Sequence, residues 1–240
     1  MLVLPGIQGR WEWMGPALEA LATRHRVLTF SLDAIEIERF FDACIDYIDA
    51  SLDQAGLGPV AMIGVSFGGL VAARYAARRP NRLTRLVLLS APSPRWRLDP
   101  VSLRYTRRPQ LSLPLFALRS AVRLAPEVRA ALPTWAGRLR FAGPHLWRTV
   151  RHPVSPRRMA AWVEAWTMTD LASDCRAIVT PTLVVTGEAA LDRVVPVNST
   201  LEYLQLIPGA RHVILPRTGH IGLMTRPHEF AALVSEFMGS

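Results

Sequence analysis

The strongest candidate for a chemically reactive residue in this sequence is a serine within a glycine-rich pentapeptide. Residues 64–68 read Gly-Val-Ser-Phe-Gly, between an apolar run at 60–65 that is typical of a buried strand and an alanine-rich helical pattern at 70–79. A tight turn from strand to helix strains the backbone at the serine, and side chains two residues before and after it would collide, which explains the glycines. The turn exposes the hydroxyl beside the positive end of a helix, where an anion is stabilised. We therefore predict that Ser66 is a nucleophile.

A serine hydroxyl is a weak nucleophile, so this chemistry also needs a histidine as general base. His220 lies in a loop after the last predicted strand, at 211–215, where a side chain can reach the carboxyl edge of a sheet. The other five histidines flank elements elsewhere or fall in the middle third of the chain, at His25, His145, His152, His212 and His228. We predict that His220 is the base.

The histidine must be oriented by a carboxylate, which is expected in the loop after the preceding strand. That strand is predicted at 182–186, and the loop that follows it contains Glu188 and Asp192. Asp192 is the first choice, because the order Ser66, Asp192, His220 is the one expected of a hydrolase with this type of turn. Glu188 stays open as an alternative, and Asp99, after the fourth strand, is a distant reserve.

An attack by serine on a carbonyl creates an oxyanion, which needs two backbone N–H donors. The N–H of Phe67 would supply one of them. The other is expected from the turn after the first strand, at residues 5–9, where two glycines allow close backbone approach. Ile7 is the first choice as this donor and Gln8 the second.

The elements that must position these residues alternate between short apolar runs and helical patterns. Strands are predicted at 2–4, 26–32, 60–65, 83–89, 182–186 and 211–215, and helices at 16–23, 38–53, 70–79 and 227–238. This alternation predicts an α/β fold, with a mostly parallel sheet of about six strands flanked by helices.

The alternation stops after residue 92 and resumes near 177. Residues 93–176 show short helical patterns without strands, so we predict an α/β core formed by 1–92 and 177–240 and a helical cap insertion at 93–176. The cap is expected to lie over the site. Its aromatic side chains would either line an apolar acyl pocket or pack the cap onto the sheet; they are Trp135, Phe141, Trp147, Trp162 and Trp166.

The net charge of +9 is concentrated in the predicted cap. The chain has no lysine, and residues 93–176 hold 15 arginines against 5 acidic residues, a net charge of +10 in that third alone. Such a region can attract an acidic carrier protein or an anionic membrane surface, and an arginine-rich solvated surface is the alternative. No nucleic-acid-binding motif accompanies the charge, so we expect no nucleic-acid partner.

Composition excludes several classes of protein. The 240 residues are 50% hydrophobic, which argues against disorder, and no run of about 18 apolar residues predicts a membrane-spanning helix. Two cysteines make no disulfide framework. The first residues lack the basic and long apolar regions of a signal peptide, so a cytoplasmic location is the default expectation. The proposed chemistry requires neither a metal nor an organic cofactor.

Taken together, these motifs resemble the α/β-hydrolase superfamily over the whole chain. The resemblance is carried by residues 64–69, 192–196 and 219–221, the last followed by Pro227. It implies Ser66 as nucleophile, Asp192 as triad acid and His220 as base, with Phe67 and Ile7 as oxyanion donors and the middle third as the family's variable cap. One such fold hosts many chemistries, so the substrate is not implied.

The sequence departs from the family pattern at several places. Residues 5–6 read Pro-Gly where His-Gly is common, and Asp192 stands five residues after the glycine that ends its strand, where three is usual. Residues 31–35 replace the usual glycine-rich loop. The two strands that open the family's sheet are absent, so we expect either a sheet of six strands with 26–32 at its edge or a true start upstream.

The expected function is that of a serine hydrolase that cleaves a carboxylic ester or related small-molecule acyl substrate through an acyl-enzyme intermediate. Serine at position 66 argues against the family branches that resemble this fold but use aspartate there. Two alternatives stay open: an esterase that docks an acidic carrier protein through its arginine-rich cap, and a non-catalytic binding protein on a hydrolase fold.

Overall fold

Six strands form a single parallel sheet, in the order β2-β1-β3-β4-β5-β6. The computed structural model describes residues 1–239, apart from the side chains of Val101, Ser102 and Arg104. The strands are β1 (Leu2–Leu4), β2 (Leu28–Thr29), β3 (Val60–Val65), β4 (Leu83–Leu89), β5 (Thr182–Thr186) and β6 (Arg211–Ile214). All five neighbouring pairs run parallel, so every carboxyl end meets at one edge of the sheet. The predicted fold class is confirmed.

The helices flank the sheet and fill the segment between β4 and β5. Those of the first half are α1 (Gly15–Ala22), α2 (Phe40–Gln54) and α3 (Phe67–Arg78). Between β4 and β5 lie α4 (Pro100–Arg107), α5 (Pro109–Ala131), α6 (Trp135–Arg151), α7 (Pro156–Met168) and α8 (Leu171–Arg176). The remaining helices are α9 (Val197–Leu201), α10 (Tyr203–Leu206), α11 (Gly222–Thr225) and α12 (Pro227–Gly239). None of the described helices is long and apolar enough to span a membrane.

The second strand is much shorter than predicted. We expected a strand at 26–32, but only Leu28–Thr29 pairs in the sheet, beside Leu2 and Val3 of β1. The reason is that β2 has a single neighbour, which is itself only three residues long, so the rest of the predicted run has nothing to pair with. The predicted position at the edge of the sheet is confirmed.

The alternation of side chains along the strands divides the core into two layers. Leu2, Leu4 and Met62 pack in one layer with α2 and α3, whereas Val3 and Ile63 point to the opposite face, where α1 and α12 cover them. Both faces of the central strands are therefore buried, as a parallel sheet requires.

A partly buried arginine forms hydrogen bonds that connect three helices on the first of these faces. Arg74 of α3 donates to Asp42 of α2 at 2.6 Å and to Asp174 of α8 at 2.7 Å. The hydrogen bond from Arg74 lowers the pKa of the Asp42 carboxyl. The last helix before β5 is therefore fastened directly to the helix that begins at the serine turn.

Candidate active site

Ser66 lies in a strained turn between β3 and α3. Its φ of 51° and ψ of −121° belong to a region that a residue with a side chain rarely adopts, at a cost of about 1–3 kcal/mol. The turn is held by the Ser66 N–H, which donates to the carbonyl of Leu89 at 2.8 Å, and by the Gly69 N–H, which donates to the Ser66 carbonyl at 2.8 Å. The sheet and the helix together maintain the strain and keep the hydroxyl at the carboxyl edge.

Two glycines allow this turn to close. A Cβ atom at Gly64 would lie 2.6 Å from the carbonyl oxygen of Gly68, and one at Gly68 would lie 2.4 Å from the carbonyl oxygen of Pro5. Backbone cannot yield to such contacts without moving. The collision expected from the sequence is therefore present, and at Gly68 it involves the turn after β1 as well.

His220 and Asp192 complete a hydrogen-bonded chain that begins at the serine. The Ser66 Oγ lies 3.1 Å from Nε2 of His220, and Nδ1 of His220 lies 3.4 Å from a carboxylate oxygen of Asp192. The side chain of Asp192 is 1% exposed and that of His220 is 10% exposed, so water is largely excluded from this chain of bonds. The geometry fits a serine whose O–H donates to a histidine oriented by a carboxylate.

The structure distinguishes the two carboxylates of the loop after β5. The second oxygen of Asp192 accepts the N–H groups of Val194 and Val195, each at 3.0 Å, which fixes the carboxylate in the direction of His220. Glu188 instead accepts the N–H of Arg217 at 2.6 Å. Asp99 lies at the exposed wall of the cavity in front of the serine. Asp192 is thus the carboxylate that the fold places beside the histidine.

The turn after β1 faces the serine, as expected for an oxyanion site. Ile7, Gln8 and Phe67 line the same cavity as Ser66 and His220. Phe67 is the first residue of α3, so its N–H has no acceptor within the helix. A Cβ at Gly6 would lie 3.4 Å from Cβ of Ser66, which shows how closely this backbone approaches the serine.

The cavity itself is mainly apolar and is closed by helices from the segment between β4 and β5. Its far wall is formed by side chains of α4, α5 and α7: Tyr105, Leu113, Phe116, Leu124, Met159, Val163 and Trp166. Arg123 also lines the cavity and is half-buried. None of the other five histidines lines the cavity in the part of the chain that the structure describes.

Only part of the aromatic set predicted from the sequence lines this cavity. Trp166 does, and Trp162 is fully buried against the ring of Phe67. The alternative of an acyl pocket lined by Trp135 and Trp147 is wrong, because these side chains are 74% and 64% exposed on the outer side of α6.

The remaining member of that set also lies away from the cavity. The ring of Phe141 stacks on His145 within α6 instead of lining the pocket. The sequence positions of Trp135, Phe141 and Trp147 do not indicate which side of α6 packs against the rest of the protein.

Sequence reasoning missed one buried carboxylate at the site. Glu127 of α5 is completely buried, and both of its oxygens lie 3.1 Å from the N–H of Ile221, the residue after His220. Burial raises the pKa of Glu127, while the N–H groups of Ile221 and Gly219 and the nearby His220 oppose the rise. The sequence did contain a sign that this carboxylate is unusual, because Glu127 is the only acidic residue between 109 and 151.

The described residues offer no cluster of three or more His, Cys, Asp or Glu side chains that could hold a metal ion. The site is therefore built from a hydroxyl, an imidazole, two buried carboxylates and backbone N–H groups.

The fold agrees with comparisons to known proteins. A family model described as the alpha/beta hydrolase fold matches residues 1–227. The chain belongs to this family. One relative is a 2-hydroxy-6-oxo-2,4-heptadienoate hydrolase from Pseudomonas putida, which is 26% identical over 202 residues that cover 83% of this chain and 70% of the relative. Another is a putative carbamate hydrolase from a Caulobacter strain, which is 26% identical over 253 residues that cover 99% of this chain and 90% of the relative. The crystal structure of an enol-lactonase from Burkholderia xenovorans LB400 covers all of this chain and 90% of its own, with a TM-score of 0.73 and 22% identity.

Proposed function

We propose that this α/β hydrolase is a serine hydrolase that cleaves carboxylic esters or related small acyl compounds through an acyl-enzyme. The observation that carries the proposal is the strained serine whose hydroxyl lies 3.1 Å from a histidine that contacts a buried carboxylate. Strain alone does not mark a nucleophile, because the buried Ser90 also has a positive φ, of 44°. At Ser66 the strain coincides with a hydroxyl that lies within hydrogen-bond distance of a histidine, and this combination supports a catalytic role.

The first half of the reaction forms the acyl-enzyme. The Ser66 oxygen attacks the ester carbonyl carbon while its proton passes to Nε2 of His220, and Asp192 stabilises the imidazolium that results. The carbonyl oxygen becomes an oxyanion, for which the N–H groups of Phe67 and Ile7 are the proposed donors. The bond to the leaving oxygen then breaks, and His220 gives its proton to that oxygen, so that an alcohol departs.

The second half hydrolyses the acyl-enzyme. His220 takes a proton from a water molecule, whose oxygen attacks the acyl carbon. The tetrahedral intermediate collapses with loss of the Ser66 oxygen, which recovers its proton from His220, and the carboxylic acid is released. Each residue is thereby returned to its starting state, and no further reactant is required.

The shape of the cavity supports a substrate with an apolar acyl group. Leu113, Phe116 and Met159 lie opposite the serine, and an aliphatic or aromatic acyl chain would bury its surface against them. Two relatives are named as a 2-hydroxy-6-oxo-2,4-heptadienoate hydrolase and a putative carbamate hydrolase, so hydrolysis is common to both names.

The proposal is tested with a series of p-nitrophenyl esters of increasing acyl length. Turnover by the wild-type protein is expected, and Ser66→Ala should reduce it by about 10³–10⁶-fold, because the acyl-enzyme route is lost. Ser90→Ala is the matched control, since Ser90 also follows a strand, β4, is buried and has a positive φ, but does not line the cavity. Equal turnover by Ser66→Ala and the wild type would overturn the mechanism.

A further inference from the structure

The outer side of α5 carries an unpartnered apolar stripe. Leu111, Leu115, Leu118 and Val122 follow the helical spacing i, i+4, i+7, i+11, which places them on one face. Their exposed fractions lie between 48% for Leu115 and 78% for Leu111. The opposite side of α5 lines the cavity, so this helix is apolar on two sides and only one of them is covered.

The next helix repeats this feature. Trp135, Leu139, Leu146 and Val150 of α6 recur at i, i+4, i+11 and i+15, and each is at least 64% exposed. Trp147, beside them, is equally open. Large apolar side chains that are scattered singly need no explanation, but two consecutive helices with continuous stripes mark an interaction surface. We call the two stripes together the apolar face of α5 and α6.

The exposed charged side chains of the segment that carries these stripes are all arginines. They lie just before α5 and within the two helices, at Arg107, Arg108, Arg119, Arg129, Arg140 and Arg151. Glu127 is the only acidic residue of the segment, and it is buried toward the catalytic loop. Among the described residues, no carboxylate forms an ion pair with any of these six arginines, whereas Arg74 and Arg78 of α3 are paired with Asp174.

Five arginines lie between residues 100 and 125, and the structure describes the side chains of four of them. Arg107, Arg108 and Arg119 are exposed, and Arg123 faces the cavity instead. The side chain of Arg104 lies outside the described residues.

We propose that the apolar face of α5 and α6 docks onto the surface of an anionic lipid bilayer. Amphipathic helices with leucine and tryptophan on one side and arginine around them lie in the plane of the bilayer interface, where aromatic rings settle at the depth of the headgroups. Arginine neutralises the lipid headgroups at the rim of the face. A second copy of the chain would instead bring two sets of unpaired arginines together, and an acidic protein would meet the arginines but leave the exposed apolar surface uncovered.

Docking is measured by sedimentation with vesicles, which requires no catalytic activity. The wild-type chain is expected to bind vesicles of phosphatidylglycerol and phosphatidylcholine at least tenfold more tightly than vesicles of phosphatidylcholine alone, and high salt should weaken the difference. A failure of the ester-hydrolysis proposal would leave this result unchanged.

Three sets of substitutions separate the apolar and the charged contributions. The stripe variant is Leu111→Gln, Leu118→Gln and Val122→Gln, none of which lines the cavity. The charge variant is Arg107→Gln, Arg119→Gln and Arg140→Gln. The control variant changes exposed residues outside the face, namely Val179→Gln, Ile214→Gln and Arg24→Gln.

The stripe variant should lose at least tenfold of its vesicle affinity, and the charge variant about 100-fold at low salt, because each of its three arginines near an anionic surface contributes about fivefold. The control variant should bind like the wild type, and all three should hydrolyse a short soluble ester at the wild-type rate.

Four results would overturn the proposal. The first is the absence of vesicle binding by the wild type, and the second is equal binding to anionic and neutral vesicles. The third is a loss of vesicle affinity in the control variant that equals the loss in the stripe variant. The fourth is light scattering that shows a dimer of the wild type and a monomer of the stripe variant, which would assign the face to a second copy.

Discussion

Removal of the Glu127 carboxylate tests whether a helix outside the α/β sheet layers supports the catalytic loop. The carboxylate accepts the hydrogen bond of the Ile221 N–H, next to His220, at 3.1 Å, and no solvent reaches it. Glu127→Ala leaves this buried donor without an acceptor. Glu127→Gln keeps one oxygen that can accept, removes the charge and fills the same volume.

The magnitude follows from the loss of one hydrogen-bond acceptor. A buried N–H that loses its acceptor costs about 1–3 kcal/mol, so Glu127→Ala should lower the free energy of unfolding by about that amount. Glu127→Gln should cost less than half of that, because one acceptor is kept and the desolvation of a charge is avoided. Since burial raises the pKa of Glu127, the stability that this group contributes is present below its unfolded value of about 4 and declines as the pH rises through the raised value. Glu127→Gln should remove that dependence.

Urea unfolding at pH 7 and pH 4 measures these changes, and amide hydrogen exchange of the peptide around residue 220 shows whether the loop has loosened. Turnover should fall more in kcat than in KM, because the histidine is displaced and the acyl pocket is not. Glu164→Ala is the matched control, since Glu164 is exposed on α7. If Glu127→Ala and the control have the same unfolding free energy and the same exchange, the carboxylate does not support the loop.

Further predictions concern the triad, the sheet and the turn. Asp192→Asn should reduce kcat by several orders of magnitude because the wrong histidine tautomer is favoured, whereas Glu188→Gln should have a small effect. Pre-steady-state and steady-state assays of ester turnover rank the two variants, and the reverse ranking would contradict the assignment of Asp192. Asp42→Asn should destabilise the protein at pH 7 and progressively less as the pH falls below about 3.9. The reason is that the hydrogen bond from Arg74 of α3 lowers the pKa of Asp42, so its stabilisation is present above the unfolded value and is lost as the pH falls through the lower folded value. Urea unfolding at pH 7 and at a series of lower pH values checks this. Gly68→Ala should lower ester turnover at least tenfold, because its Cβ would lie 2.4 Å from a carbonyl oxygen of the turn after β1, while Gly143→Ala, with open space around it, should have no such effect.

The positions of the proposed nucleophile and base could be predicted because their signals are local. Residues 64–68 carry the requirements of the turn within five positions, and His220 is the only histidine in a loop that follows a predicted strand at the carboxyl edge. The choice between Asp192 and Glu188 was less certain, because it depends on the path of a ten-residue loop. The structure resolves it through two backbone N–H groups that hold the Asp192 carboxylate.

Other features depend on contacts that no local pattern records. The strand at 26–32 has the composition of a full strand, but its length is set by its short neighbour β1. Trp135 and Trp147 have helical spacing, yet their exposure depends on which side of α6 meets the rest of the protein. Glu127 and Ile221 are 94 residues apart in the chain, so their contact follows only from the packing of α5 against the loop that carries His220.

Covalent labelling of the protein with a fluorophosphonate, followed by peptide mass spectrometry, tests whether Ser66 is an activated nucleophile. We predict a single phosphonyl adduct on Ser66 and its loss in Ser66→Ala. Labelling should be slowed by several orders of magnitude in His220→Ala, because the hydroxyl then has no base. An unlabelled wild-type protein that is folded, or an adduct on a different serine with Ser66 unmodified, would contradict it.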